Sequence, residues 1–254
     1  MGCDPAAIQQ AANVAQQAQQ QQAARQAPGG GWDGIDDEYR EFISVFLNDS
    51  KEAWTQLFRD HVRGGSYRKP NLVMFSGQTT TRCGIGQVAM VPFYCPADQQ
   101  VYIDPRFFED LARRHRVPGD FAQAYVIAHE VAHHVQNLLG LNQRAHQAHQ
   151  SGDERMSNRE SVRLERQADY LAGVWAHHAH RNFAILEEGD MEEAIRAANQ
   201  IGDDALQKKA GGYVVPERFT RGTSAQRVRW FRRGLDSGSL DDCELLFEVP
   251  YERL

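Results

Sequence analysis

Residues 6–27, AAIQQAANVAQQAQQQQAARQA, carry small and polar side chains and almost no large apolar ones, so they cannot anchor a core. Residues 1–31 are therefore predicted to be a tether, broken by PGGGWDG, ahead of one folded domain over residues 32–254. From Asp36 to His61 the apolar positions are Phe42, Val45, Phe46, Trp54, Leu57 and Phe58, with Asn48-Asp49-Ser50 between them, which predicts two short helices parted by a turn and cap. NLVMFSG, AMVPFYC and QVYID are short β-rich runs bounded by glycine, proline and polar clusters, as strands of a small sheet are. The pattern then turns helical. PGDFAQAYVIAHEVAHHVQNLLG predicts a helix opened by an Asp120 cap and closed at Gly140. SNRESVRLERQADYLAGVWAHHAHR predicts a second long helix, opened by a Ser157/Glu160 capping box. DMEEAIRAANQIGDDALQKKA and SAQRVRWFRRGLDS predict two more. Helices, then strands, then many helices indicate an α+β fold rather than an alternating parallel one.

Composition narrows the function classes. The 254 residues hold 28 Lys and Arg against 34 Asp and Glu, a net charge of −6, and no long basic block, so a nucleic-acid partner is not expected. No window approaches the roughly 18 consecutive apolar residues of a membrane span, and the N-terminus lacks a basic-then-apolar leader, so the chain as given reads as soluble. MGCDPA resembles a myristoylation start, but Ala6 stands where that signal wants Ser or Thr. Of four cysteines, Cys83 and Cys95 flank a segment short enough to bring its ends together. A disulfide between them would add about 3 kcal/mol and imply an oxidising compartment. Two ordinary buried thiols are the alternative, and no pairing is assigned to Cys3 and Cys243.

The chemistry concentrates in AYVIAHEVAHHVQNLLG, which holds His129-Glu130-x-x-His133. On a helix, residues four apart share a face, so both imidazoles can reach one ion while Glu130, one step round, stays free as a general base. A catalytic zinc takes three protein ligands and keeps a fourth position open. In LERQADYLAGVW, Glu165 can supply the third ligand, and Asp169, one turn on, can accept the Nδ1–H of a ligand histidine, most naturally His129. On this reading Asp169→Ala weakens zinc binding and leaves the fold intact. Ala172, Gly173 and Ala176 continue that face with small residues, allowing close packing on the HExxH helix.

HExxH followed by ExxxD on a second helix resembles the thermolysin-like gluzincins. FYCPADQQVYID, GDFAQAYVIAHEVAHHVQ, ERQADYLAGVWA and GTSAQRVRWFRRG more narrowly resemble the bacterial neutral zinc metallopeptidase family, from about Trp32 to the C-terminus. The resemblance implies a mainly helical, zincin-like metallopeptidase domain with a small sheet beside the HExxH helix. It implies one Zn2+ on His129, His133 and Glu165, Glu130 as the catalytic carboxylate, and a peptide or protein substrate. Members of that family often carry a membrane anchor ahead of a low-complexity linker, so the resemblance also implies an extracytoplasmic protein, periplasmic or cell-surface, tethered by an anchor outside this chain. The sequence departs from the family at Val91, where Gly is expected before Pro-Phe-Tyr-Cys, and at Arg221, where His is expected. Arg221 is a candidate oxyanion donor, with a helix-capping surface arginine as the other reading, and Tyr213 is a weaker candidate for the donor role.

Other readings are open to the same residues. Glu130 and His133 also form the ExxH of carboxylate-bridged di-iron bundles, but the long helices offer no second ExxH. His134 points away from His133 and is read as structural or solvent-facing, His146 and His149 as exposed, and His177 to His180 as complementing a helix C-terminus. A zinc-containing module that binds peptides without turning them over is the alternative function, and it has no need of Glu130. If the chain is a peptidase, AMVPFYC is the candidate edge along which substrate adds as a strand.

Overall fold

A computed structural model describes residues 37–87, 91–115, 119–202, 204 and 219–254. The predicted tether and domain start, Cys3, Ala89 and Met90, Tyr213 and most of GDDALQKKA lie outside the described residues.

The order is α1 (Asp37–His61), β1 (Asn71–Met74), β2 (Gln78–Thr81), β3 (Gly84–Gln87), β4 (Phe93–Cys95), β5 (Gln100–Ile103), α2 (Arg106–His115), α3 (Asp120–Leu139), α4 (Gln143–Gln150), α5 (Glu154–Phe183), α6 (Asp190–Ile201) and α7 (Ser224–Ser237). A 3-10 turn (Asp241–Glu244), the short α8 (Leu245–Glu248) and a second 3-10 turn (Tyr251–Arg253) complete the chain. The fold is α+β and mostly helical, as the element order predicts. Among the described residues no helix is long and apolar enough to cross a membrane.

Three predicted boundaries move. The segment expected to form two helices is the single α1, because Ile43, Phe46, Ser50, Ala53, Trp54, Leu57 and Phe58 are all buried at steps of three and four, so the stripe runs straight through Asn48-Asp49-Ser50. Asp120 is the first residue of α3, its side chain accepting from the Phe121 N–H, and Gly119 is the cap residue. Helix α5 opens on Asp153, whose carboxylate accepts from the Met156 N–H at 3.0 Å; Ser157 therefore lies inside the helix. Gly140 closes α3 as expected.

Helix α3 is the central core element, with residues buried on almost all sides from Phe121 to Gln136. That explains its near-continuous run of Val, Ile and Ala, and why any polar group on it needs a partner. Of the small residues Ala172, Gly173 and Ala176, Gly173 serves a different neighbour from the one predicted. A Cβ on Gly173 would fall 2.1 Å from the Phe231 carbonyl oxygen, and one on Gly234 would fall 1.9 Å from that of Tyr170. The backbones of α5 and α7 touch there. Gly173 lies one residue, about 100°, from Ala172, which turns it from the Asp169 row toward α7.

The sheet has the order β1-β5-β4, with β1 and β5 parallel and β4 and β5 antiparallel, Tyr94 opposite Val101. A separate hairpin, β2 with β3, was not anticipated. The Cys83–Cys95 disulfide, Cα–Cα 5.8 Å, ties the tip of that hairpin to the end of β4. Strand β4 is an edge and packs on α3.

Candidate metal centre

Four elements meet at the HExxH motif. Helix α3 supplies His129, Glu130, His133 and Gln136, α5 supplies Glu165 and Asp169, α7 supplies Arg227, and β4 forms a wall. One ligand atom from each of His129, His133 and Glu165 lies within 4.8 Å of the others. His129 Nε2 is 3.2 Å from Glu165 Oε2, and His133 Nε2 is 3.4 Å from Glu165 Oε1.

The other ring nitrogens are committed elsewhere. Asp169 Oδ1 stands 2.9 Å from His129 Nδ1, the partner proposed from sequence. A carboxylate only accepts, so His129 donates from Nδ1. His133 Nδ1 is 2.8 Å from Gln136 Oε1, while Gln136 Nε2 donates to the Leu164 carbonyl at 2.7 Å and to Gln167 Oε1 at 2.9 Å. Both rings therefore turn Nε2 toward the Glu165 carboxylate, an arrangement that holds only with positive charge between them, a proton or a cation. A cation fits this donor set, and two imidazole nitrogens with one carboxylate are the type that takes Zn2+.

The protonation equilibria show the same demand. Burial pushes the His133 imidazolium down, but Glu165, Glu130 and the Gln136 hydrogen bond outweigh it and hold its pKa up at about 9. Burial raises Glu165, yet His133 and His129 hold it well below the usual carboxylate range. Glu130 is buried beside the cluster, and burial wins there: its pKa is raised despite His133, His129 and Arg221.

Asp169, fully buried, is a charge hub. Besides His129 it accepts from the Tyr125 hydroxyl at 2.7 Å and from Arg227 Nη2 at 2.9 Å and forms an ion pair with Arg166 Nη2 at 3.1 Å, and both arginines are fully buried. Burial pushes its carboxyl up, but Arg166, Arg227 and His129 bring it to about 2. Arg227 Nη1 also stands 3.8 Å from Glu165 Oε2.

A cavity of about 290 Å³ opens on this cluster, lined by Glu130, His133, Glu165, Leu164, Asn142 and Arg221 and by Pro92, Phe93, Tyr94 and Pro96 around β4. Arg221 is therefore a cavity residue, and its backbone carbonyl accepts from Arg166. His134 is structural and buried, not solvent-facing. Its Nε2 donates to the Arg68 carbonyl at 2.6 Å, so Nδ1 accepts from the Tyr94 hydroxyl at 3.0 Å, fastening β4 to α3. His146 and His149 are exposed on α4. His177 and His178 donate to the carbonyls of Leu235 and Gly238, so the helix terminus they complement is that of α7.

Of the residues read from sequence, Glu130, His133, Glu165 and Arg221 line the cavity, His129 meets Glu165 beside it, Asp169 stands behind His129, and Cys83 pairs with Cys95. Sequence reasoning misses Gln136, Tyr125, Arg166 and Arg227. A signal existed for Arg227, which shares the α7 stripe of Trp230, Phe231 and Gly234, all buried: an arginine there requires a buried anion. Gln136, three residues after His133 and buried on a mostly buried helix, required a partner in the same way.

A family model described as "Putative neutral zinc metallopeptidase" matches residues 1–246. "Uncharacterized protein YpfJ" of Escherichia coli (strain K12) is 50% identical over 208 residues, 82% of this chain and 71% of that protein. "Uncharacterized protein Rv2575" of Mycobacterium tuberculosis (strain ATCC 25618 / H37Rv) is 39% identical over 188 residues, 70% of this chain and 62% of that protein. No solved structure matches.

Proposed function

The chain belongs to this neutral zinc metallopeptidase family, and from that premise and the geometry of the site we propose that it hydrolyses peptide bonds with one zinc ion held by His129, His133 and Glu165. The observation that carries the proposal is the convergence of both Nε2 atoms on Glu165, with both Nδ1 groups engaged as donors. Bound zinc supplies the Lewis acidity that acidifies a water and polarises a carbonyl.

The chain's own groups do the rest. Glu130 lines the same cavity and stands outside the three-donor cluster, so its carboxylate is free to take the proton of the attacking water and return it to the departing amine nitrogen. Its raised pKa suits a group that must hold a proton between those steps. Arg221 faces the cavity as the donor toward the oxygen on which negative charge develops. A substrate backbone adds to the edge β4, whose Phe93 and Tyr94 form the cavity wall, and the Cys83–Cys95 disulfide holds the end of that strand. The same disulfide supports an oxidising, extracytoplasmic setting. In this reading the domain is zincin-like.

The test is hydrolysis of casein by the purified chain, with and without chelator. Cleavage that chelator abolishes and added zinc restores is expected. A zinc-loaded chain that cleaves no unfolded substrate would favour a peptide-binding module instead.

A further inference from the structure

Beneath His133 a buried polar chain runs away from the cavity. Gln136 and Gln167 are 1% and 0% exposed, a costly setting for two amides unless every group is paired. Here the pairing fixes direction. The Cys243 carbonyl can only accept, so Gln167 donates Nε2 to it at 2.8 Å and turns Oε1 toward Gln136. Gln136 Nε2 then has two acceptors, Gln167 Oε1 at 2.9 Å and the Leu164 carbonyl at 2.7 Å, and its own Oε1 is left for His133 Nδ1 at 2.8 Å. Neither amide can flip without setting like groups against each other. The chain ends in the 3-10 turn Asp241–Glu244, and Arg163 on α5 anchors the adjoining α8 by donating to the carbonyls of Leu246 and Val249. Leu164 immediately precedes Glu165, so one amide joins the second imidazole to the backbone that carries the third donor.

We propose that Gln136 and Gln167 are positioning residues of the metal centre, which brace the His133 ring, Nε2 inward, against α5 and the C-terminal segment at Cys243. The inference rests on the metallopeptidase reading but concerns zinc affinity, not turnover. Gln136 meets the cavity wall and Gln167 lies beyond it, and the side-chain hydrogen bonds of the two amides go to His133, to each other and to the carbonyls of Leu164 and Cys243.

The experiment is a competition titration of the full chain with a chelating dye, with circular dichroism to verify folding. Gln136→Met keeps the side-chain volume and removes the acceptor, and is expected to weaken zinc binding about 10–100-fold. Gln167→Met should lose several-fold, and adding it to Gln136→Met should cost nothing more, because Gln167 reaches His133 through Gln136. A 15N spectrum of the zinc-loaded parent should show His133 protonated at Nδ1. The inference is overturned if folded Gln136→Met binds zinc within twofold of the parent, if the two losses add in full, or if His133 carries its proton at Nε2. Should Gln136→Met fail to fold, Gln167→Met alone decides, and parent-like affinity there overturns it. A parent chain that takes up no zinc removes the metallopeptidase reading as well, whereas parent-like affinity in the variants removes this inference alone.

Discussion

Replacing Asp169 by alanine should damage the fold as well as the metal site, although the sequence alone suggests a side chain whose loss spares the fold. Its carboxylate is fully buried and faces two fully buried guanidinium groups, Arg227 Nη2 at 2.9 Å and Arg166 Nη2 at 3.1 Å. Alanine leaves both cations in a dry interior with that anion gone, and breaking a buried pair from one side costs about 3–5 kcal/mol. In a domain of this size each kcal/mol lowers Tm by about 2–4 °C, so a fall of roughly 6–20 °C is expected. The melt is run in chelator, so that lost zinc binding does not enter the difference. Zinc affinity, measured separately, should drop about 10–100-fold because His129 loses its orienting acceptor. Tyr125→Phe is the milder comparison: it removes a hydroxyl that donates to Asp169 at 2.7 Å and accepts from Arg227, and should cost about 1.5–3 kcal/mol. Asp169→Ala melting within about 2 °C of the parent would refute the charge-hub argument.

Packing and pairing predict three further outcomes. Gly234→Ala drives a methyl group into the Tyr170 carbonyl, so thermal melts should show a loss of about 1–3 kcal/mol, roughly 2–12 °C, with no change in zinc stoichiometry. Replacing Cys83 and Cys95 together by alanine should cost about 3 kcal/mol and loosen β4, read as faster amide exchange at Phe93 and Tyr94. Asp104 is raised by burial, but Arg106 and the Gly77 and Arg106 N–H groups outweigh that and hold it low. Its stabilisation is therefore complete above the unfolded value of about 3.9 and lost as pH falls through the lower folded value. Asp104→Asn should melt below the parent at pH 6, and the gap should close below about pH 4; a gap that widens in acid contradicts the pairing.

The sequence showed most where chemistry imposed spacing. His129, Glu130, His133, Glu165 and Asp169 are set by helical periodicity, so their convergence needed only two helices to meet. The hydrophobic stripes marked α3, α5 and α7, but the two-helix reading of α1 failed because Ser50, a residue that often caps, is buried within a continuous stripe. The role of Gly173 was hidden because a glycine accommodates whichever neighbour arrives, and only the fold brings α7 to it. Gln136 and Arg227 take their meaning from partners distant in sequence, Gln167 and Leu164 for the first and Asp169 and Glu165 for the second, and Arg166 joins Asp169, one turn on, to the carbonyls of Arg221 and Thr223. A chain read alone shows that such residues need partners. It does not show which.

The central claim is that His129, His133 and Glu165 hold the metal while Glu130 moves the proton. Zinc content and casein hydrolysis measured on the same preparation of Glu130→Gln separate these roles, since the amide keeps the shape of the side chain and cannot act as a base. The account expects zinc retained at the parent's stoichiometry, one ion per chain, with hydrolysis almost abolished. Loss of zinc in this variant, or turnover close to that of the parent, would contradict it.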